Sequence, residues 1–130
     1  MTQKILVVDD SENIRSVLEM NFEWMGYDVI SVPDGVEAIA AVERDRPDLI
    51  IMDVMMPGTD GFELCKSIKR ESRYANIPII LLSARSRVHD RSRGLGSGAA
   101  DFMTKPYSPS ELLSRVRAIL SSEASRGQAR

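Results

Sequence analysis

Three stretches of this 130-residue chain are short, unbroken apolar runs that stop at an acid or a hydroxyl. Ile5-Leu-Val-Val8 halts at Asp9 and Asp10, Asp48-Leu-Ile-Ile-Met-Asp53 is bounded by acids, and Ile77-Pro-Ile-Ile-Leu-Leu-Ser83 ends in a hydroxyl. A strand with one wet face alternates apolar and polar residues, whereas a strand apolar throughout must be covered on both faces. The chain therefore has to supply helices for two sides of a sheet, within a length that suits one domain and is too short for two.

The segments between these runs supply them. We number the apolar runs as strands β1 (5–8), β3 (48–53) and β4 (77–83). Tyr27-Asp-Val-Ile-Ser-Val32 alternates and reads as β2, nearer an edge, and Phe102 and Met103 mark β5, ending at Lys105. Ile14, Val17, Leu18, Phe22 and Met25 follow helical spacing after a Ser11 cap, with Gly26 placed to close the helix in a left-handed conformation. Asp34 with Glu37, Asp60 with Glu63 and Ser108 with Glu111 each set a cap residue three before a glutamate, the capping-box spacing. Pro109 stands at a first helical position, and Leu112, Leu113, Val116, Ile119 and Leu120 give the last helix, α5 (109–120), its apolar stripe. Strands alternating with helices imply right-handed βαβ units, so the expectation is a (βα)5 doubly wound parallel sheet; its strand order, 2-1-3-4-5, is taken over from the known flavodoxin-like folds rather than read from the pattern. Residues 1–121 form the domain, and 122–130, polar and rich in small residues, read as a flexible tail or truncated linker.

Charge narrows the partners. The 17 Lys and Arg nearly balance the 19 Asp and Glu, a formal net charge of -2, so nothing draws the chain as a whole to nucleic acid or to an anionic membrane. Cys65 is the single cysteine; it falls on an apolar-periodic stretch and reads as a buried thiol, in keeping with a reducing cytoplasm. The first residues offer only Lys4 before the short β1 run, which fits neither a signal peptide nor a membrane span, so a soluble cytoplasmic protein is expected.

Ligands of open α/β sheets bind at the carboxyl ends of the strands where the strand order reverses. In the order 2-1-3-4-5 that point lies between β1 and β3, whose ends carry Asp9, Asp10 and Asp53. Three carboxylates there repel by about 4 kcal/mol per pair at roughly 4 Å and an effective dielectric near 20. A hard divalent cation offsets this, and oxygen ligands select Mg2+ over zinc, since the soft ligands Cys65 and His89 lie elsewhere in the sequence. Each aspartate alone would pass for a strand end or turn residue. Ser83 and Lys105 end β4 and β5 on the same edge, however, and complete a set suited to phosphoryl transfer: Asp53 as oxygen nucleophile, Asp10 and Asp53 as metal ligands with Asp9 assisting through water, and Lys105 and Ser83 as donors to phosphoryl oxygens.

The run Ile5-Leu-Val-Val-Asp-Asp10, then Asp53 with Met56-Pro57-Gly58 and Asp60-Gly61, then Ser83-Ala84, then Lys105-Pro106-Tyr107 resembles the response-regulator receiver family of two-component signalling, over about residues 3 to 121. The resemblance implies that Asp53 is the phosphoacceptor, that Asp9, Asp10, Asp53 and the backbone carbonyl of Met55 hold Mg2+ (with Mn2+ a workable substitute), and that the bond before Pro106 is cis. It implies a histidine kinase or histidine phosphotransfer protein as donor, and a domain that catalyses only its own phosphorylation and dephosphorylation. Phe102 occupies the family's aromatic switch position and Ser83 the coupled hydroxyl position. Phosphorylation is expected to draw Ser83 inward, let Phe102 rotate, and change the face made by α4 (85–98), β5 and α5 toward a downstream protein, an output domain or a second copy of the chain.

Departures and rivals complete the reading. The α4 segment has Val88 and Leu95 as its only large aliphatics and Gly94, Gly96 and Gly98 close together, each costing roughly 1 kcal/mol if helical, so α4 is expected to be short or mobile. Its Arg85, Arg87, Arg91 and Arg93 suggest docking of an acidic partner, and Met55 with Arg85 are placed to shield an acyl phosphate from water. His89 reads as a surface residue. An aspartate phosphatase of the haloacid-dehalogenase type carries its nucleophile in an Asp-x-Asp motif after the first strand, whereas Asp10 here precedes Ser11 and Glu12. A flavodoxin-like binding module needs a phosphate loop rich in hydroxyls and glycine after β1, where this chain has acids.

Overall fold

The computed structural model describes residues 2–84 and 88–128, with side chains described for 2–84 and 92–122. The expectations placed on Arg85 and Arg87, and on the side chains of His89 and Arg91, therefore lie outside what is described. The main sheet holds β1 (Lys4–Val8), β2 (Asp28–Val32), β3 (Leu49–Asp53), β4 (Ile79–Ser83) and β5 (Asp101–Thr104), all parallel, in the order 2-1-3-4-5. Five helices alternate with them: α1 (Glu12–Trp24), α2 (Gly35–Asp45), α3 (Gly61–Arg70), α4 (Val88–Gly96) and α5 (Pro109–Gln128).

The unbroken apolar runs are buried on both faces, as their composition requires. Along β1 and β3, Leu6, Val8, Ile50 and Met52 join Ala38, Ala41 and Val42 of α2 and Phe62, Cys65 and Ile68 of α3 on one face. Their neighbours Ile5, Val7, Leu49 and Ile51 join Leu18 and Phe22 of α1 and Leu112, Val116 and Leu120 of α5 on the other. The alternating β2 is an edge strand, with only Val32 of its five residues buried.

Local signals set most boundaries. The Ser11 hydroxyl accepts from the Ile14 amide at 3.3 Å, Asp34 from Glu37 at 2.9 Å, and Ser108 from Glu111 at 3.4 Å, each satisfying an orphan donor of a first turn. Asp60 caps α3 through Phe62 rather than Glu63, at 2.8 Å. Gly26 after α1 and Gly98 after α4 both take positive φ, +96° and +97°, the left-handed turn that ends a helix. Two further features complete the fold. The backbone of α5 is helical through Gln128, past the apolar stripe that ends at Leu120; no proline follows and Glu123, Ala124 and Arg126 favour helix. A two-residue antiparallel hairpin pairs Met55–Met56 with Thr59–Asp60 between β3 and α3, turning at Gly58 with φ +70°.

Candidate functional site

The parallel register carries β1, β3, β4 and β5 to one edge of the sheet. Val8 pairs with Met52, Asp53 with Leu82, and Ser83 with Thr104, so the residues that follow or end these strands meet in one cleft. Carboxylate oxygens of Asp9, Asp10 and Asp53 all lie within 4.8 Å of one another, with Asp9 and Asp53 buried and Asp10 exposed. The Lys105 ammonium reaches across from the end of β5, 3.4 Å from Asp9 Oδ2 and 3.3 Å from Asp53 Oδ2. Ser83 is wholly buried at the end of β4, and the Lys105 amide donates to its carbonyl at 2.6 Å. The Lys105-Pro106 bond is cis.

Three carboxylates facing one ammonium leave an excess of negative charge in a half-buried cleft. The chemistry of the donors, all oxygen, fits a hard divalent cation such as Mg2+. Burial pushes the Asp53 carboxyl above the ordinary carboxylate range; Lys105 and the Met55 amide pull it down, and Asp9 pushes it further up. Lys105 shows the complement: burial alone would lower its pKa, but Asp53 and Asp9 together outweigh that and raise it, so the ammonium stays charged. Tyr107, beside the cleft, has its phenol raised chiefly by burial.

Backbone contacts fix the acids. The Asp9 Oδ1 accepts from the Ser11 amide at 2.9 Å and its own amide donates to the Val32 carbonyl at 3.2 Å. The Met55 amide donates to Asp53 Oδ1 at 3.3 Å, and the Gly61 amide donates to the Val54 carbonyl at 2.8 Å. A Cβ at Gly61 would stand 2.6 Å from the Asp53 carbonyl oxygen, so only glycine lets α3 start this close to the end of β3. Sequence reasoning missed Arg15, whose Nη1 donates to the Asp9 carbonyl at 2.7 Å. Its place one turn into α1, a helix that starts three residues after Asp9, was the signal available.

Phe102 and its neighbours on α3 and α4 lie beyond the cleft. Phe102 is 1% exposed, and its ring stacks on Phe62 with centroids 6.4 Å apart and planes 11° apart. Gly94 of α4 backs directly onto that ring: a Cβ there would lie 2.7 Å from Phe102 Cδ2. The glycine that weakens α4 in sequence terms is thus demanded by packing.

A doubly wound parallel domain with an acid cleft at its switch point and an ammonium reaching into it defines a class, the aspartate-centred α/β phosphoryl-transfer domains. Within that class the chain belongs to the response regulator receiver domain family, matched over residues 5–117. The alkaline phosphatase synthesis transcriptional regulatory protein PhoP of Bacillus subtilis is 48% identical over 120 residues, 92% of this chain and 49% of the relative. The DNA-binding dual master transcriptional regulator RpaA of Synechocystis is 41% identical, over 90% of this chain and 48% of the relative. This chain spans about half the length of the curated relatives it matches. Among solved structures, the signal receiver domain of a signal transduction histidine kinase from Syntrophus aciditrophicus superposes with a TM-score of 0.86 at 40% identity, covering 93% of this chain and 92% of that one. The Vibrio cholerae chemotaxis protein CheY4 gives 0.85 at 35% identity, covering 91% and 98%. The protein is therefore of the phosphorylation-controlled switch type, and the dehalogenase and flavin-module readings fall. Among the described residues no helix is long and apolar enough to cross a membrane.

Proposed function

We propose that the domain accepts a phosphoryl group on Asp53 from a phosphohistidine of a histidine kinase or phosphotransfer protein. The observation that carries this reading is the gathering of Asp9, Asp10 and Asp53 within 4.8 Å, with the Lys105 ammonium bridging two of them. An Asp53 carboxylate oxygen attacks the phosphorus; the P–O bond forms as the P–N bond breaks, and the electron pair leaves on the imidazole nitrogen, which takes a proton from water. Asp9, Asp10, Asp53 and the Met55 carbonyl would hold Mg2+, or Mn2+ in its place. When bound, the ion supplies positive charge to the transferring phosphoryl oxygens. Lys105 and Ser83 donate to the remaining phosphoryl oxygens, and the exposed Met55 covers the acyl phosphate on one side.

The consequence proposed is a change at α4, β5 and α5. With Phe102 already buried, the step becomes a locking of the inward ring through Ser83 rather than a first rotation. The names of PhoP and RpaA describe transcriptional regulators, and we carry that class of output to this domain. It would act through protein contact, including pairing with a second copy, and not by touching nucleic acid itself. Residues 1–121 would be the switch.

Incubation with acetyl phosphate and Mg2+ followed by intact-mass measurement tests the chemistry. One phosphoryl group should be gained, none in Asp53→Asn, and little in the presence of EDTA. An adduct of equal yield on Asp53→Asn would remove Asp53 from its role.

A further inference from the structure

The hairpin that carries Met55 is tied to α4 by one side chain. Asp60, paired with Met55 across the hairpin, uses Oδ1 to cap α3 and Oδ2 to accept from Arg93 Nη2 at 3.1 Å. The same guanidinium lies 3.8 Å from Glu63 and 4.5 Å over the Phe62 ring. That ring stacks on Phe102, and the residue after Arg93 is Gly94, which backs onto Phe102. Arg93 and the loop residues Val54 to Pro57, Thr59 and Asp60 line a groove of about 530 Å3 together with Phe62. Arginine suits this place because its planar cation stacks on an aromatic face while its edge binds carboxylates, which lysine cannot do at once.

We propose that Arg93 is a positioning residue for phosphoryl acceptance: it anchors the Met55–Asp60 hairpin, and with it the amide that holds Asp53, to α4. The inference rests on the assignment of Asp53 made above. It joins the acid cleft to the output helix by a route that does not pass through Ser83. Because coupling between sites is reciprocal, whatever orders the hairpin orders α4 and the converse. Spatial continuity alone does not establish coupling, so the test must read both ends.

Hydrogen exchange by mass spectrometry on the full chain, without metal and with Mg2+, reads both in wild type, Arg93→Gln and Arg93→Lys. In Arg93→Gln, amides of 54–63 should exchange about fivefold faster, the size of one exposed ion pair plus one cation–π contact. The protection that Mg2+ confers on α4 in wild type should shrink, and the initial rate of phosphorylation by acetyl phosphate should fall with it. Arg93→Lys, which keeps the charge and loses the stacking, should lie between the two. Because Arg93 is 41% exposed, both variants are expected to fold. Faster exchange confined to 88–98, with 54–63 and the phosphorylation rate unchanged, would overturn the inference and leave Arg93 a local support of α4. Failure of the wild type to form any adduct, with 54–63 still responding to Arg93, would instead overturn the Asp53 assignment and uphold the anchor.

Discussion

Helices α3 and α4 stand on the same face of the sheet and, among the described side chains, are held there by opposite means. In α3, Gly61, Phe62, Cys65 and Ile68 are all buried, a stripe at helical spacing that fixes the helix by apolar area. In α4 the described side chains bury nothing larger than Gly94, and Leu95 is 43% exposed. What α4 has instead are polar tethers to α3 and its cap: Arg93 to Asp60 and Glu63, and the Ser97 carbonyl, just past the helix, accepting from the Cys65 thiol at 3.6 Å. A helix held by area resists displacement, while one held by a few exposed tethers can be moved at little cost, which is the property a switch element needs. The two helices thus differ in kind: α3 is part of the frame of the acid cleft, and α4 is the more easily displaced of the two.

The sharpest way to break that contrast is Phe62→Ala. Loss of a buried phenylalanine costs about 3–5 kcal/mol, and here it also removes the partner of Phe102 and the platform of Arg93. Urea denaturation should show that loss. Far-UV circular dichroism is the probe to use, because the sole tryptophan, Trp24, is 87% exposed and will report unfolding poorly. A loss under about 1 kcal/mol would mean that α3 is not fixed by its stripe.

The contrast also separates what was legible in the sequence from what was not. The parallel sheet covered on both faces and the edge position of β2 follow from which runs are unbroken and which alternate, and α3 follows from its own periodicity, whereas the strand order is carried over from known doubly wound folds and leaves no mark in the pattern. The cleft acids were legible because each ends a strand, a position that pairing register then makes common. Helix α4 was not legible in the same way. Its glycines count against a helix in propensity, and no local signal shows that Gly94 is small because the ring of Phe102, on β5, occupies its Cβ site. Arg93 looked like one charge among four, since its partners Asp60 and Glu63 are some thirty residues away. Contacts between elements that depend on final packing leave no periodic trace.

Gly94→Ala comes next in size. Alanine gains about 1 kcal/mol of helix propensity, but its methyl must displace the Phe102 ring or the helix, an overpacking cost of roughly 1–3 kcal/mol. A net loss of stability is expected, whereas Gly96→Ala, with nothing within 4 Å of the new methyl, should be neutral or stabilising. Equal gains in both variants would show that α4 does not rest on Phe102.

Cys65 tests the tether at the other end of α4. Burial raises the thiol above its ordinary range, with the Ser97 contact and Lys69 opposing. A raised folded pKa means that the folded state keeps its proton where the unfolded chain has lost it. That contribution is whole below the unfolded thiol pKa, near 8.5, and is lost as pH rises toward the folded value. Wild type should therefore lose stability above about pH 8.5 relative to Cys65→Ala, with a slope of at most ~1.4 kcal/mol per pH unit. Parallel stability curves for the two proteins across that range would show a thiol open to solvent.

The smallest effect expected is also a direct measure of how α4 is held. Leu95 is the one large aliphatic among the described side chains of α4, and it is 43% exposed. If α4 is retained by tethers, Leu95→Ala removes little buried area and exchanges one good helix former for another, so unfolding free energies from urea denaturation should agree to within about 0.5 kcal/mol. If instead the helix were retained by apolar burial, the same substitution would cost about 2 kcal/mol or more, as buried leucines do. That result would make α4 a second α3. Paired with Arg93→Gln, it decides the matter by additivity: tethers and area act at different atoms, so a change at Leu95 should leave the effect of Arg93 unaltered.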